Sequence, residues 1–278
     1  MKRVLAIVLL LAFCFCVSAC RTQERKDVCR LYFLDVGQGD SMLLRTPEGD
    51  VLIDAGTEDA EELLCLRLEQ LGVRELTLAI FTHPDEDHIG GADGVLNRFA
   101  VREIWCNGAR PDHASANRLF SAAQEKKIPV RAVSAGERID VGGVIISILT
   151  PIGDIGDGGN EASVSVKLHY GTFDAILTGD AGLEEEADMV RVYGASQLAC
   201  DLYKVGHHGS NTSSGSLFLQ AMRPTYAVIS CGGQNSYGHP MGEVLSRLED
   251  EGITVLRTDL LGEIVFETDG HDLWLVSD

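Results

Sequence analysis

The sequence predicts an α/β (α+β) fold of two sheets with helices packed on their outer faces. Short strand-like runs over 31–36, 41–45 and 51–53 come first, separated by the turn compositions GQGD and PEGD. Beyond them strand and helix patterns alternate as far as a helix over 243–250, with no internal repeat. A run of strands followed by alternation suits neither a doubly wound sheet nor a barrel, and leaves two sheets covered by helices.

Taken in order, the first three runs read as a β-meander. Thr57 is placed to cap a helix with an acidic first turn, in which Ala60, Leu64, Leu68 and Leu71 recur at helical spacing until Gly72 ends it. Residues 76–81 form an unbroken apolar run of strand length, expected to be buried, which delivers the chain to the loop THPDEDHIGG. Strands are then expected over 101–106, near 130, and over 144–149, 163–169, 175–177, 202–205 and 226–230. Helices are expected near 114–126, 183–193 and 243–250, and the Gly-rich stretch 152–159 reads as a loop.

Composition narrows the function. The chain has 278 residues, 45% of them hydrophobic, enough to bury a sizeable core. Its formal net charge of −19 is far from the basic balance that holds nucleic acid by counterion release, so a polyanion has to be gripped locally. Trp105 and Trp274 read as strand-packing residues, because 6% aromatic content supplies no interleaved basic and aromatic stripe. Cys65, Cys106, Cys200 and Cys231 lie among apolar neighbours without a CxxC pair, and read as buried small hydrophobes.

At the N-terminus, Lys2 and Arg3 precede an apolar run over 4–17 that ends in Ser18 and Ala19, the pattern of a secretory signal peptide. The run is shorter than the roughly 20 residues that span a membrane. Its end, VSAC, resembles the bacterial lipoprotein cleavage box, which implies an acylated Cys20 and an exported protein anchored to the outer face of the cell membrane. The alternative is an ordinary cleaved signal with an incidental cysteine. The expected division is a signal peptide over 1–19, a tether over 20–28 and one hydrolase domain over 29–278.

Residues 83–88, HPDEDH, pack two imidazoles and several carboxylates onto one loop directly after the buried strand. Such a cluster has the chemistry to hold divalent ions of intermediate hardness, Zn²⁺ or Mn²⁺. The string is similar to the HxHxDH signature of the metallo-β-lactamase superfamily, with Asp85 at the second histidine. Together with LDVGQGDS at 34–41, LTGD at 177–180, KVGHHGS at 204–210 and SYGHP at 236–240, it resembles the hydrolase domain of the ComEC DNA-uptake proteins. The membrane-channel portion that accompanies this domain in that family has no counterpart in this sequence.

The resemblance implies a four-layer αββα sandwich of two mixed sheets and a centre of two divalent metal ions. Carried over by position, His83 and Asp85 would hold one ion, Asp87 and His88 the other, and Asp180 would bridge both. His207, or its neighbour His208, would complete the second site, with His207 the preferred of the two. Asp54, in LIDAG, matches an aspartate that orients the metal loop from behind, and Asn160 stands where other members of the superfamily supply a histidine. Asp40 reads as turn chemistry within GQGD.

Two such ions activate a water for metal-assisted hydrolysis, with Asp87 as proton acceptor and His239 assisting the leaving group or binding substrate. Lys204, Ser210, Asn211 and Thr212 flank the ligand histidines, so a phosphate there would meet a cation and hydroxyls. The expected function is an extracytoplasmic phosphodiesterase or nuclease acting on DNA or a cell-surface phosphoester. The alternatives are a lactonase or β-lactamase, and a non-catalytic lipoprotein that captures a metal or surface ligand. His113, His169 and His271 read as surface or structural.

Overall fold

The computed structural model describes residues 28–276. The predicted signal peptide, the acylated Cys20 and the tether up to residue 27 lie outside the described residues. Along the first half run β1 (Cys29–Phe33), β2 (Met42–Arg45), β3 (Asp50–Ile53), α1 (Glu61–Gln70), β4 (Glu75–Phe81), α2 (Glu86–Ile89), α3 (Ala92–Arg98), β5 (Ala100–Val101), β6 (Ile104–Cys106), α4 (Ala114–Lys126) and β7 (Val130–Ala132). The second half runs β8 (Arg138–Val141), β9 (Val144–Ile148), β10 (Val166–Tyr170), β11 (Phe173–Leu177), α5 (Leu183–Leu198), β12 (Leu202–Lys204), α6 (Ser216–Met222), β13 (Tyr226–Ile229), α7 (Gly242–Asp250), β14 (Thr254–Arg257), α8 (Thr258–Leu261), β15 (Ile264–Thr268) and β16 (Leu273–Val276).

Two mixed sheets result. One has the order β16-β15-β1-β2-β3-β4-β6-β7, with β5 beside β4, and the other β14-β13-β12-β11-β10-β9-β8. In each, an antiparallel half passes into a parallel half, at β3–β4 in the first and β11–β12 in the second. Period-2 alternation divides the strand residues between three cores. Leu31 and Phe33 of β1, Ile53 of β3 and Ile80 of β4 meet Ile146, Val166, Leu202 and Val228 between the sheets. Tyr32, Leu52, Ala79 and Phe81 face the opposite way, onto Leu64 and Leu68 of α1, Leu96 of α3 and Leu119 of α4. Tyr203, Ala227 and Ile229 face Met189, Phe218 and Leu248 of α5, α6 and α7. This is the expected helix-sheet-sheet-helix layering.

Some local expectations differ. Thr57 makes no side-chain capping bond; a short 3-10 turn over 58–60 precedes α1, and the Glu58 amide donates instead to Glu86 Oε1 at 2.8 Å. The predicted helix over 183–193 extends to Leu198 only across a break at Gly194, whose φ of 64° and ψ of 169° are non-helical. Strand β15 pairs with β1 and β16 with β15, so the last two strands extend the first sheet beyond β1. Among the described residues no helix is long and apolar enough to cross a membrane, and Cys29, Cys65, Cys106, Cys200 and Cys231 are all buried and free.

Candidate metal centre

The site lies where the carboxyl ends of the parallel strands of both sheets face each other, the edge at which α/β architectures leave a crevice. Ile53 of β3 is followed by Asp54, Phe81 of β4 by Thr82 and His83, and Leu177 of β11 by the turn bearing Asp180. Lys204 ends β12 just before His207 and His208, and Ile229 ends β13 before Ser230. The chain between β1 and β2 brings Asp40 to the same edge. Gly39 permits that approach: at φ 146°, a Cβ there would stand 2.4 Å from the Asp87 carbonyl oxygen.

Each central imidazole is held by Nδ1 and presents Nε2 inward. Asp54 Oδ2 lies 2.9 Å from His88 Nδ1, and the same carboxylate accepts from the Thr82 amide and hydroxyl, both at 2.8 Å. Asp54 adopts φ 59°, a left-handed conformation that a non-glycine residue keeps only when its surroundings over-determine it. His83 Nδ1 is 3.2 Å from Thr82 Oγ1 and 3.3 Å from Ser163 Oγ. His208 Nδ1 faces the Ser230 carbonyl at 3.0 Å.

On the inner side, Asp180 Oδ1 is 3.2 Å from His88 Nε2, and Asp180 Oδ2 is 3.6 Å from both His207 Nε2 and His208 Nε2. Asp87 Oδ2 lies 3.2 Å from His208 Nε2, and Asp85 Oδ2 lies 3.6 Å from His83 Nε2. Two ligand atoms each about 2.1 Å from one tetrahedral ion stand about 3.4 Å apart, so these separations match shared cations. His83 Nε2, His88 Nε2, His208 Nε2 and Asp180 Oδ1 are buried with no aligned hydrogen bond, a state that is costly unless another group satisfies them. The sets His83, His88, Asp180 and Asp87, His88, His208 each bring their ligand atoms within 4.8 Å of one another.

The electrostatics agree. Burial alone would lower the pKa of His88, but Asp180 and Asp54 outweigh it and hold the imidazole well above its ordinary value. His208 is likewise driven up to about 9 against burial by Asp180 and Asp40. Burial would raise Asp180, yet His88 and His208 bring it well below the usual carboxylate range. A site that concentrates protons on histidines and charge on carboxylates is one in which a divalent cation can replace the protons.

Most of the predicted residues converge here, with three differences. His208, not His207, is the buried imidazole beside Asp87 and His88, which reverses the expected preference. His207 faces Asp180 from the other side, with Asn160 Nδ2 3.4 Å from its Nε2 and Thr212 Oγ1 3.1 Å from its Nδ1. Both rings point inward because His207 and His208 sit at φ 48° and 54° in one tight turn. Lys204 does not meet the cleft: it is fully buried and its Nζ pairs with Asp40 Oδ2, which corrects the phosphate-binding expectation. Asp40 itself is more than turn chemistry, since Oδ1 is 3.3 Å from His208 Nδ1 and Oδ2 is 3.9 Å from His88 Nδ1.

Ser210 is buried, 3.0 Å from Thr212 Oγ1 within its own loop, whereas Asn211 is exposed. The SYGHP loop does fold over the site, placing the His239 ring 5.7 Å from His207 and 6.4 Å from His208. Burial and the neighbouring His208 lower the His239 pKa. Sequence reasoning missed Thr82, Ser163 and Ser230, whose hydroxyls and carbonyl orient the imidazoles; only their adjacency to motif residues hinted at them. His113 Nδ1 accepts from the Ala116 amide as the cap of α4 and also lines the cleft beside Asp85.

The family model described as the Metallo-beta-lactamase superfamily matches residues 34–233. The chain is 32% identical over 251 residues to "ComE operon protein 3" of Bacillus subtilis (strain 168), covering 84% of this chain and 32% of that protein. It is 34% identical over 233 residues to "Competence protein ComA" of Neisseria gonorrhoeae, covering 84% and 31%. It thus spans about a third of the length of these relatives. Among solved structures, the metallo-beta-lactamase fold protein YhfI from Bacillus subtilis superimposes with a TM-score of 0.57 at 12% identity, over 87% of this chain and 100% of that one. A diphosphatase from the PhnP family superimposes with a TM-score of 0.51 at 16% identity, over 86% and 98%. At such identities these two establish the fold alone.

Proposed function

Because the chain belongs to the metallo-beta-lactamase superfamily, we propose that it is a metal-dependent hydrolase of phosphodiesters. The observation that carries this is the convergence of unsatisfied, inward-facing Nε2 atoms of His83, His88 and His208 on Asp180. His83, Asp85 and Asp180 would hold one ion, and Asp87, His88, His208 and Asp180 a second. Bound there, divalent ions supply a water of lowered pKa and neutralise charge on the departing oxygen.

The chain's own residues do the rest. Asp54 fixes the tautomer and tilt of His88 through Nδ1, as Ser163 and Thr82 do for His83 and the Ser230 carbonyl does for His208. Asp40, neutralised by Lys204, backs His208 and keeps its Nε2 directed inward. Asp87 is partly exposed at the mouth of the cleft and positioned to accept a proton. His239, whose pKa is lowered by burial and by His208, is placed to bind the substrate, and its protonated form would donate to the departing group.

Two features favour a phosphodiester over a lactam: Asp85 in place of the second histidine, and the similarity to proteins named for competence. The proposal keeps the export segment over 1–19 and the lipid anchor on Cys20, which the N-terminal sequence supports. The test is hydrolysis of bis-p-nitrophenyl phosphate and single-stranded DNA with Mn²⁺ or Zn²⁺. Chelation should abolish turnover, and Asp54→Asn should weaken metal affinity by about 10- to 100-fold. Silence on every phosphodiester with both metals, or preferential turnover of a lactam, would overturn the reading.

A further inference from the structure

The mouth of the metal centre opens into a cleft of about 630 Å³ with Asp85 and Asp87 on one wall and Gln38, His113 and Tyr237 among its other lining residues. Among the described residues no lysine or arginine lines it. Tyr237 is 63% exposed, yet its ring is not loose on the surface: it stacks on His239 at 5.6 Å with an interplanar angle of 22°. His239 stacks in turn over His208 at 27°, so flat faces lead outward from the buried imidazole cluster to the open cleft.

The loop bearing Tyr237 is braced at its base. Asn235 Nδ2 donates to the His239 carbonyl at 2.6 Å while Asn235 Oδ1 accepts from the His239 amide at 2.9 Å. Gln38 Oε1 accepts from the Gly232 amide at 3.1 Å and ties the loop to the opposite side of the cleft. A large aromatic face is therefore presented at a defined place and orientation beside the reacting centre.

We propose that Tyr237 is a specificity-determining residue that stacks the nucleobase next to the scissile bond of a nucleotide substrate. The proposal rests on the phosphodiesterase reading and assigns a residue to its specificity. A ring stacked from one side leaves one face for a planar heterocycle, which every nucleobase supplies and a glycerol or ribitol phosphoester does not. A quaternary ammonium group is held by several rings around it, and the cleft offers no such box. Without cations along the walls, distant phosphates of a long strand gain nothing, and recognition falls on the nucleotide at the metals.

The test compares the chain, Tyr237→Phe and Tyr237→Ala, each loaded with Mn²⁺, on thymidylyl-thymidine, its abasic analogue and choline p-nitrophenyl phosphate. Binding of a non-hydrolysable methylenephosphonate dinucleotide and its abasic counterpart is measured in parallel by calorimetry. The wild type and Tyr237→Phe should prefer the base-bearing dinucleotide by about tenfold in kcat/KM, mostly through KM, and Tyr237→Ala should reduce that ratio to below about two. The same pattern in binding without any turnover would support base stacking while defeating the phosphodiesterase reading. Turnover of all three substrates with no preference for the base, a preference that survives Tyr237→Ala, or a preference for the choline ester would overturn the stacking proposal and leave the phosphodiesterase reading intact.

Discussion

A lysine with no exposed surface has to be neutralised, and Lys204 meets that requirement with Asp40, also fully buried. The pair sits directly behind His208, so one carboxylate both compensates a buried ammonium and orients an imidazole of the candidate metal centre. Removing one member of such a pair strands a charge in a low-dielectric interior. Lys204→Met is therefore expected to cost about 3 kcal/mol in urea denaturation, and Lys204→Met with Asp40→Asn to recover part of it. A loss below about 1 kcal/mol for the single change would show that His208 alone compensates Asp40. From the sequence, a lysine at the end of a strand and two residues before GHHG looks available to substrate; its burial depends on Asp40, which lies far away along the chain.

At the scale of elements, α5 is tied to the loop after the histidine pair by Glu186, which accepts from the amides of Ser214 and Gly215 at 2.5 and 2.7 Å. Burial pushes this carboxyl up to about 8 from an ordinary 4.5, against the pull of those amides and of Arg247. A carboxyl raised in the folded protein holds a proton that the unfolded chain has already released. Its contribution to stability is therefore complete below about pH 4.5 and is lost as pH rises through 8. Between pH 5 and pH 9 the wild type should lose a few kcal/mol more than Glu186→Gln, whose amide does not titrate. Parallel pH profiles of the denaturation midpoints would contradict this. Elements with strong periodicity were legible: 76–81 against β4, and 114–126 against α4. The short α2, α3 and α8 and the strand β8 were not, because four to seven residues carry too little pattern to distinguish a short helix or strand from a loop.

The whole molecule is strongly acidic, at −19, and the cleft is walled by Asp85, Glu86 and Asp87. Toward a long nucleic acid the field is repulsive, and salt screens repulsion over about 10 Å at 0.1 M. At fixed Mn²⁺, kcat/KM for a long single strand is expected to stay flat or rise between about 20 and about 200 mM salt, whereas a dinucleotide should respond little. A steep fall with salt would indicate counterion release from a cationic track instead.

Local pattern determined the longer strands and helices up to residue 250, two sheets covered by helices, and the candidate ligand loop, because periodicity and the crowding of His83, Asp85, Asp87 and His88 are properties of neighbouring residues. Only the folded chain decided that His208 stands beside Asp87, that Lys204 is consumed by Asp40, and that Tyr237 faces the cleft. Those outcomes depend on where side chains from β1–β2, β12 and the loop after β13 meet across two sheets, and a direction in space is set by packing between distant segments rather than by the residues on either side.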